Sequence, residues 1–176
     1  FPESTEGTLY FYNGEQYVIE EELQMGSGYW IHFENEGTTQ LSGTPLNEMT
    51  LQLSTGWNLI SGISSVVGLS GISDPENIVV PGTIFEFTDS YDYATLLTPG
   101  HGYWIYASTD GNIFISSGNT SRTNAFDPKN LDNVNKISFN GNILYFGVSI
   151  QEEETLSYQL PPKPPAGAFD VRFKGD

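Results

Sequence analysis

Three tryptophans and a set of tyrosines are the residues of this sequence best suited to chemistry at a surface. Trp30, Trp57 and Trp104 each follow a Gly or a Tyr. Exposed, such rings would stack on the apolar faces of sugars; buried, they would supply large apolar area and need a carbonyl for each N–H. Packing is the more economical reading, because Trp30 and Trp104 recur with the same neighbours. Tyr91 and Tyr93, together with Tyr10, Tyr12 and Tyr17, lie among acidic and amide residues. They are the candidates to stack on and hydrogen-bond a glycan, against the plainer alternative of a half-buried sheet surface.

Groups that could catalyse are poorly arranged. His32 and His101 are the only histidines, without a His-x-x-x-His spacing or a Gly-x-Ser-x-Gly elbow beside them. There is no cysteine, which excludes thiol chemistry. Glycosidases need two carboxyl groups in contrasting environments, yet Glu20-Glu21-Glu22 and Glu152-Glu153-Glu154 are runs that read as solvated faces. The chain is therefore expected not to be an enzyme and to need no cofactor. Ca²⁺ is the one candidate ion, with Asp127, Asn130, Asp132 and Asn133 as the best cluster and Asp74, Glu76 and Asn77 as a second. The same residue types also cap turns without a metal. Asn119-Thr120-Ser121 is a formal glycosylation sequon.

Charge narrows the partners. Six Lys and Arg against 22 Asp and Glu leave a formal charge of −16 over 176 residues, a field that repels nucleic acid and anionic bilayers. The most apolar stretch, 63–72, is too short to span a membrane and is interrupted by Ser and Gly. No membrane insertion is expected.

The elements that must carry these residues are strands. Aromatics are abundant, 19 Gly and 10 Pro punctuate the chain at short intervals, and no helical periodicity is sustained. Gly28-Tyr29-Trp30-Ile31 returns as Gly102-Tyr103-Trp104-Ile105, a shift of 74 that also relates Tyr17 to Tyr91, Leu23 to Leu97, Gly26 to Gly100 and Leu41 to Ile115. Ahead of each copy stands an aromatic stretch, Leu9-Tyr10-Phe11-Tyr12 and Ile84-Phe85-Glu86-Phe87, followed by a polar turn. In the second unit Gly56-Trp57-Asn58-Leu59-Ile60-Ser61 adds a strand that the first lacks, so the chain is expected to begin inside a repeat, as a piece of something longer. The missing strand must then come from elsewhere in the chain or leave an edge open.

These signals predict an all-β chain: two related antiparallel β units, sandwich-like or barrel-like, and then a further sandwich-like segment. The duplicated region runs over 1–118, with copies at about 9–43 and 56–117 and the first truncated. A linker follows over 119–135. The C-terminal β segment, 136–176, contains a hairpin about Asn140-Gly141, the Pro-rich connector Leu160-Pro161-Pro162-Lys163-Pro164-Pro165 and a last alternating strand over 169–173.

The Gly56-Trp57-Asn58-Leu59-Ile60-Ser61 and Pro99-Gly100-His101-Gly102-Tyr103-Trp104-Ile105 motifs resemble the C-terminal β-rich repeats of large secreted proteins from Bacteroidetes-like bacteria. The ending, through Ala168-Phe169-Asp170-Val171-Arg172-Phe173, is similar to segments ahead of their C-terminal sorting domain. The resemblance implies a bacterial, extracellular or cell-surface location and a non-catalytic accessory role beside adjacent domains of one polypeptide. A carbohydrate-binding module that holds an attached enzyme on polysaccharide is the alternative.

Overall fold

The computed structural model describes residues 3–40, 42–118, 134–139, 142–147 and 149–173. The chain is all-β, built from several antiparallel sheets, none of them closed into a barrel. The first unit contributes a hairpin of β1 (Tyr10–Tyr12) and β2 (Tyr17–Ile19). Next come β3 (Glu48–Leu53), β4 (Gly56–Ser61), β5 (Val67–Gly68), a 3₁₀ turn (Leu69–Gly71) and β6 (Ile72–Ser73). The second unit continues with β7 (Phe85–Phe87), β8 (Tyr91–Tyr93), β9 (Leu96–Leu97), β10 (Gly102–Ala107) and β11 (Gly111–Ser116). A separate hairpin joins β12 (Asn135–Phe139) to β13 (Asn142–Phe146).

Two sheets share the main core. One has the order β4-β10-β7-β8, the other β3-β11-β6, and the hairpins β3–β4 and β10–β11 each cross from one sheet to the other. On β3, Met49, Leu51 and Leu53 point inward while Glu48, Thr50 and Gln52 are exposed, the period of two expected of a strand with one buried face. Strand β10 buries both faces. Tyr103, Ile105 and Ala107 enter the aliphatic core with Ile60, Leu97, Ile113 and Ile115, while Trp104 enters an aromatic cluster with Leu59 and Phe85.

Several expectations change. Trp30, predicted in a strand equivalent to that of Trp104, lies outside any strand and is held by a single antiparallel bridge to Tyr10. Residues 91–97 form two strands, β8 and β9: Ala94 N–H donates to the Ile84 carbonyl (2.9 Å), one rung beyond the Phe85–Tyr93 pair, and Leu96 and Leu97 then pair with β5 instead of β7. Glu152–Tyr158, which includes one of the glutamate runs, is a 3₁₀ helix. Residues 169–173 alternate in polarity but form no strand: the Arg172 guanidinium pairs with Asp170 (2.6 Å) and donates to the Pro161 carbonyl (2.7 Å), so the segment is pinned through a side chain instead of a ladder. A C-terminal sandwich is accordingly absent among the described residues. The turn residues Asn140 and Gly141, the sequon and most of the expected linker lie outside them.

Candidate functional site

The aromatic residues singled out by the sequence are brought together at the seam between the two units, and the seam is reciprocal. Tyr12 of the first unit meets the Trp104 ring at 5.0 Å and 74°, while Phe87 of the second meets Trp30 at 4.7 Å and 67°. Likewise Tyr17 faces Trp104 and Tyr91 faces Trp30, both at 6.5 Å between centroids. Contacts exchanged in this way, residue i on j′ and j on i′, are the signature of a two-fold relation between the partners.

The backbone carries the same equivalence. Tyr10 bridges Trp30 as Phe85 bridges Trp104, and Ser4 bridges Phe33 as Val79 bridges Ala107. The Tyr29 hydroxyl accepts from the Gln24 N–H (2.8 Å) as the Tyr103 hydroxyl does from Thr98 (2.7 Å). The Thr8 hydroxyl donates to the Thr5 carbonyl (2.6 Å) as that of Thr83 does to Val80 (2.7 Å). Ahead of the hairpin turn these equivalences need a shift of 75, and after it 74. The turn between β1 and β2 spans 13–16 and that between β7 and β8 spans 88–90, so the extra residue falls in a loop, where it leaves both ladders in register.

Glycine explains how closely the units approach. Gly26 and Gly100 both have positive φ, 88° and 81°, which L side chains rarely adopt. Two residues on, Gly28 lies against β4: its N–H donates to the Leu59 carbonyl (2.9 Å), and Ser61 N–H donates to the Gly26 carbonyl (3.0 Å). A Cβ at Gly28 would stand 2.5 Å from the Ile60 carbonyl oxygen, and one at Gly102 would stand 3.8 Å from the Gly28 Cα. The two motif glycines thus meet near the centre of the seam.

Burial governs the seam's titration. Burial pushes the Tyr17 hydroxyl up to about 12, with the nearby Trp30 and Tyr91 side chains opposing that rise more weakly. Burial likewise raises Tyr91, and it pushes Tyr93 up to about 12. The Trp30 and Trp104 indole nitrogens and the Tyr17 hydroxyl are buried without a hydrogen-bond partner among the described residues.

The candidate ligand residues divide by exposure. Trp104 is 1% exposed, with Tyr12, Tyr17 and Trp57 around its ring. Trp30 and Trp57 are half-buried in the same cluster. The Tyr91 hydroxyl donates to the Pro162 carbonyl (2.7 Å), and Arg172 lies over its ring at 5.9 Å. Tyr93 stacks on Phe85 at 4.8 Å and its hydroxyl donates to the Ser157 carbonyl (2.8 Å), but its ring remains exposed. The Pro-rich connector therefore docks on β8, with Pro161 and Pro164 buried. Beside it a groove of about 130 Å³ runs between Tyr91, Asp92, Leu160, Phe169 and Asp170. That is well below the roughly 300–1,000 Å³ of ordinary small-molecule sites.

The remaining candidates are dispersed. Asp74 accepts from the N–H groups of Ile78 (3.0 Å) and Val79 (2.8 Å), and Asn77 takes φ of 54°, so this acidic loop is a capped turn. His32 Nδ1 shares a hydrogen bond with the Thr5 hydroxyl (2.9 Å), and His101 is exposed at a turn. Asp127, Asn130, Asp132 and Asn133 lie outside the described residues; among those described, no group of three or more His, Cys, Asp or Glu could hold a metal ion. No described helix is long and apolar enough to cross a membrane.

Two features had no separate signal in the sequence. The Arg172–Asp170 clamp joins residues only two apart, a spacing that many unpaired surface charges share. The reciprocity of the seam could be suspected only from the constant offset, which gives equivalence without orientation. No family model, curated protein or solved structure matches the chain.

Proposed function

We propose that the chain is a non-catalytic extracellular accessory module of a multidomain secreted or surface protein, in which the paired units serve as a stiff spacer or docking platform for adjacent domains. The observation that supports this reading is the reciprocal seam. The rings that could have met a ligand occupy one another's faces, so the two units share a core and move as one body. A net charge of −16 suits a solvated, non-associating surface.

Polysaccharide binding is the second reading, favoured by Tyr93, which stays 38% exposed, and by the shallow groove lined by Tyr91 and Asp170. Sedimentation with insoluble polysaccharides and a soluble glycan array separate the two. No retention is expected on either. Retention that Tyr93→Ala abolishes without lowering the melting temperature would replace the first reading by the second.

A further inference from the structure

The two units have equivalent backbones but unequal cover. In the second, Leu97, Tyr103, Ile105 and Ala107 are all 0% exposed. Their equivalents in the first are left partly open: Leu23 is 53% and Phe33 39% exposed, and Tyr29 and Ile31 are half-buried. The cover of the second unit is the β3–β4 hairpin, whose Met49, Leu51, Leu53 and Ile60 fill the core with them, while β4 pairs along β10.

The difference extends to the hydrogen-bonding edge. Amides on an extended strand face alternate sides. The N–H and carbonyl of Trp30 both bond to Tyr10 (3.0 and 2.8 Å), so those of Tyr29 and Ile31 face the other way, where they have no backbone partner among the described residues. At the equivalent positions of the second unit Tyr103 is opposite Ile60 and Ile105 is opposite Asn58. Residues 37–40 belong to the segment equivalent to β11 and are not strand, whereas β11 has β3 beside it. An unpaired strand edge is a template for another extended segment.

We propose that the Tyr29–Ile31 edge is a docking site for an added β-hairpin of the β3–β4 type, entering antiparallel with a Gly-Trp-Asn-Leu-Ile-Ser strand against the edge. The second unit specifies the occupant. There Trp57 packs on Phe85 (5.9 Å), Trp104 (6.3 Å) and Tyr106 (5.3 Å). The matching positions of the first unit are Tyr10, Trp30 and His32, so the incoming Trp lies over two rings and an imidazole. Its Asn and second apolar residue pair with Ile31 and Tyr29. The inference rests only on the equivalence of the two units and is independent of the extracellular, non-catalytic reading.

Hydrogen exchange of the full chain with and without a synthetic peptide of the sequence Glu48–Ser61 tests it. The Tyr29 and Ile31 amides are expected to slow at least tenfold at saturating peptide while those of 102–107 stay unchanged. A scrambled peptide should have no effect, and the peptide carrying Trp57→Ala should bind at least tenfold more weakly. Ile31→Pro, which removes the central edge donor, should abolish the protection; if that variant does not fold, the Trp57→Ala peptide reads the same contact. No slowing at millimolar peptide, or equal slowing by the scrambled one, overturns the proposal. So does concentration-dependent protection of the Tyr29 and Ile31 amides without peptide, which would assign the edge to a second copy of the chain.

Discussion

The first and second units follow one plan and meet different surroundings. They share bridges, positive-φ glycines and turn hydrogen bonds of matching length (2.8 and 2.7 Å, 2.6 and 2.7 Å), yet the same repeat leucine is sealed at Leu97 and exposed at Leu23. Local sequence carries the shared turns, positive-φ glycines and Thr or Tyr hydroxyl bonds, whereas the full strands β10 and β11 form only where β4 and β3 pair beside them. Burial is settled by whatever packs on top. A repeat motif therefore specifies a shape, and only its neighbours decide whether that shape forms a core or an edge.

Paired substitutions at equivalent positions test this contrast. The largest effect is expected at Trp104→Ala, a loss of about 3–5 kcal/mol for emptying a sealed site. Trp30→Ala, in the half-buried counterpart, should cost only about 1.5–3 kcal/mol. Chemical denaturation of both variants checks the order, and equal losses would break the comparison.

Leu97→Ala should cost about 2–5 kcal/mol, against a change within about 0.5 kcal/mol for Leu23→Ala. Thermal melting of the pair reads the difference in cover directly. At the glycines the inequality reverses. Gly28→Ala forces a methyl onto the Ile60 carbonyl and should destabilise by about 1–3 kcal/mol. Gly102→Ala meets nothing nearer than 3.7 Å and should be tolerated. Comparable midpoints for these two would show that the seam is not closed on Gly28.

The smallest effect at ordinary pH grows in alkali. Tyr17, Tyr91 and Tyr93 have folded pKa values above the unfolded value near 10. Below pH 10 their contribution to stability is fully present, and it is lost as pH rises from about 10 through 12, where only the unfolded chain ionises freely. Melting temperature should thus be flat from pH 8 to 9.5 and fall beyond. Phenolate absorbance that develops for all ten tyrosines near pH 10, with no fall in stability, would contradict the burial of the seam.

Much of the fold was legible because its signals were local. Gly56–Ser61 matches the strand expected of it, and the repeat motif Gly102-Tyr103-Trp104-Ile105 opens β10, each entered through a glycine and rich in β-forming residues. Strand β3 carried an equally plain alternation of Met49, Leu51 and Leu53, but it lies between the two copies and a reading organised by the repeat passes over it. The alternation at 169–173 misled for the opposite reason. It has the period of a strand without a partner strand, and Arg172 holds it to Pro161 instead. Of the site, the aromatic residues could be named, and Trp104 could be favoured as core. That Tyr12 would lie on Trp104 and Phe87 on Trp30 could not, because contacts across a pseudo-axis leave no spacing in the chain.

The crossed placement of Tyr12 and Phe87 has a consequence for how the molecule comes apart. Pulling the units apart removes Tyr12 and Tyr17 from Trp104 and Phe87 and Tyr91 from Trp30 together, so one separation uncovers part of both indoles. Heat or mechanical load should therefore meet one cooperative barrier where a string of independent beads would present two in succession.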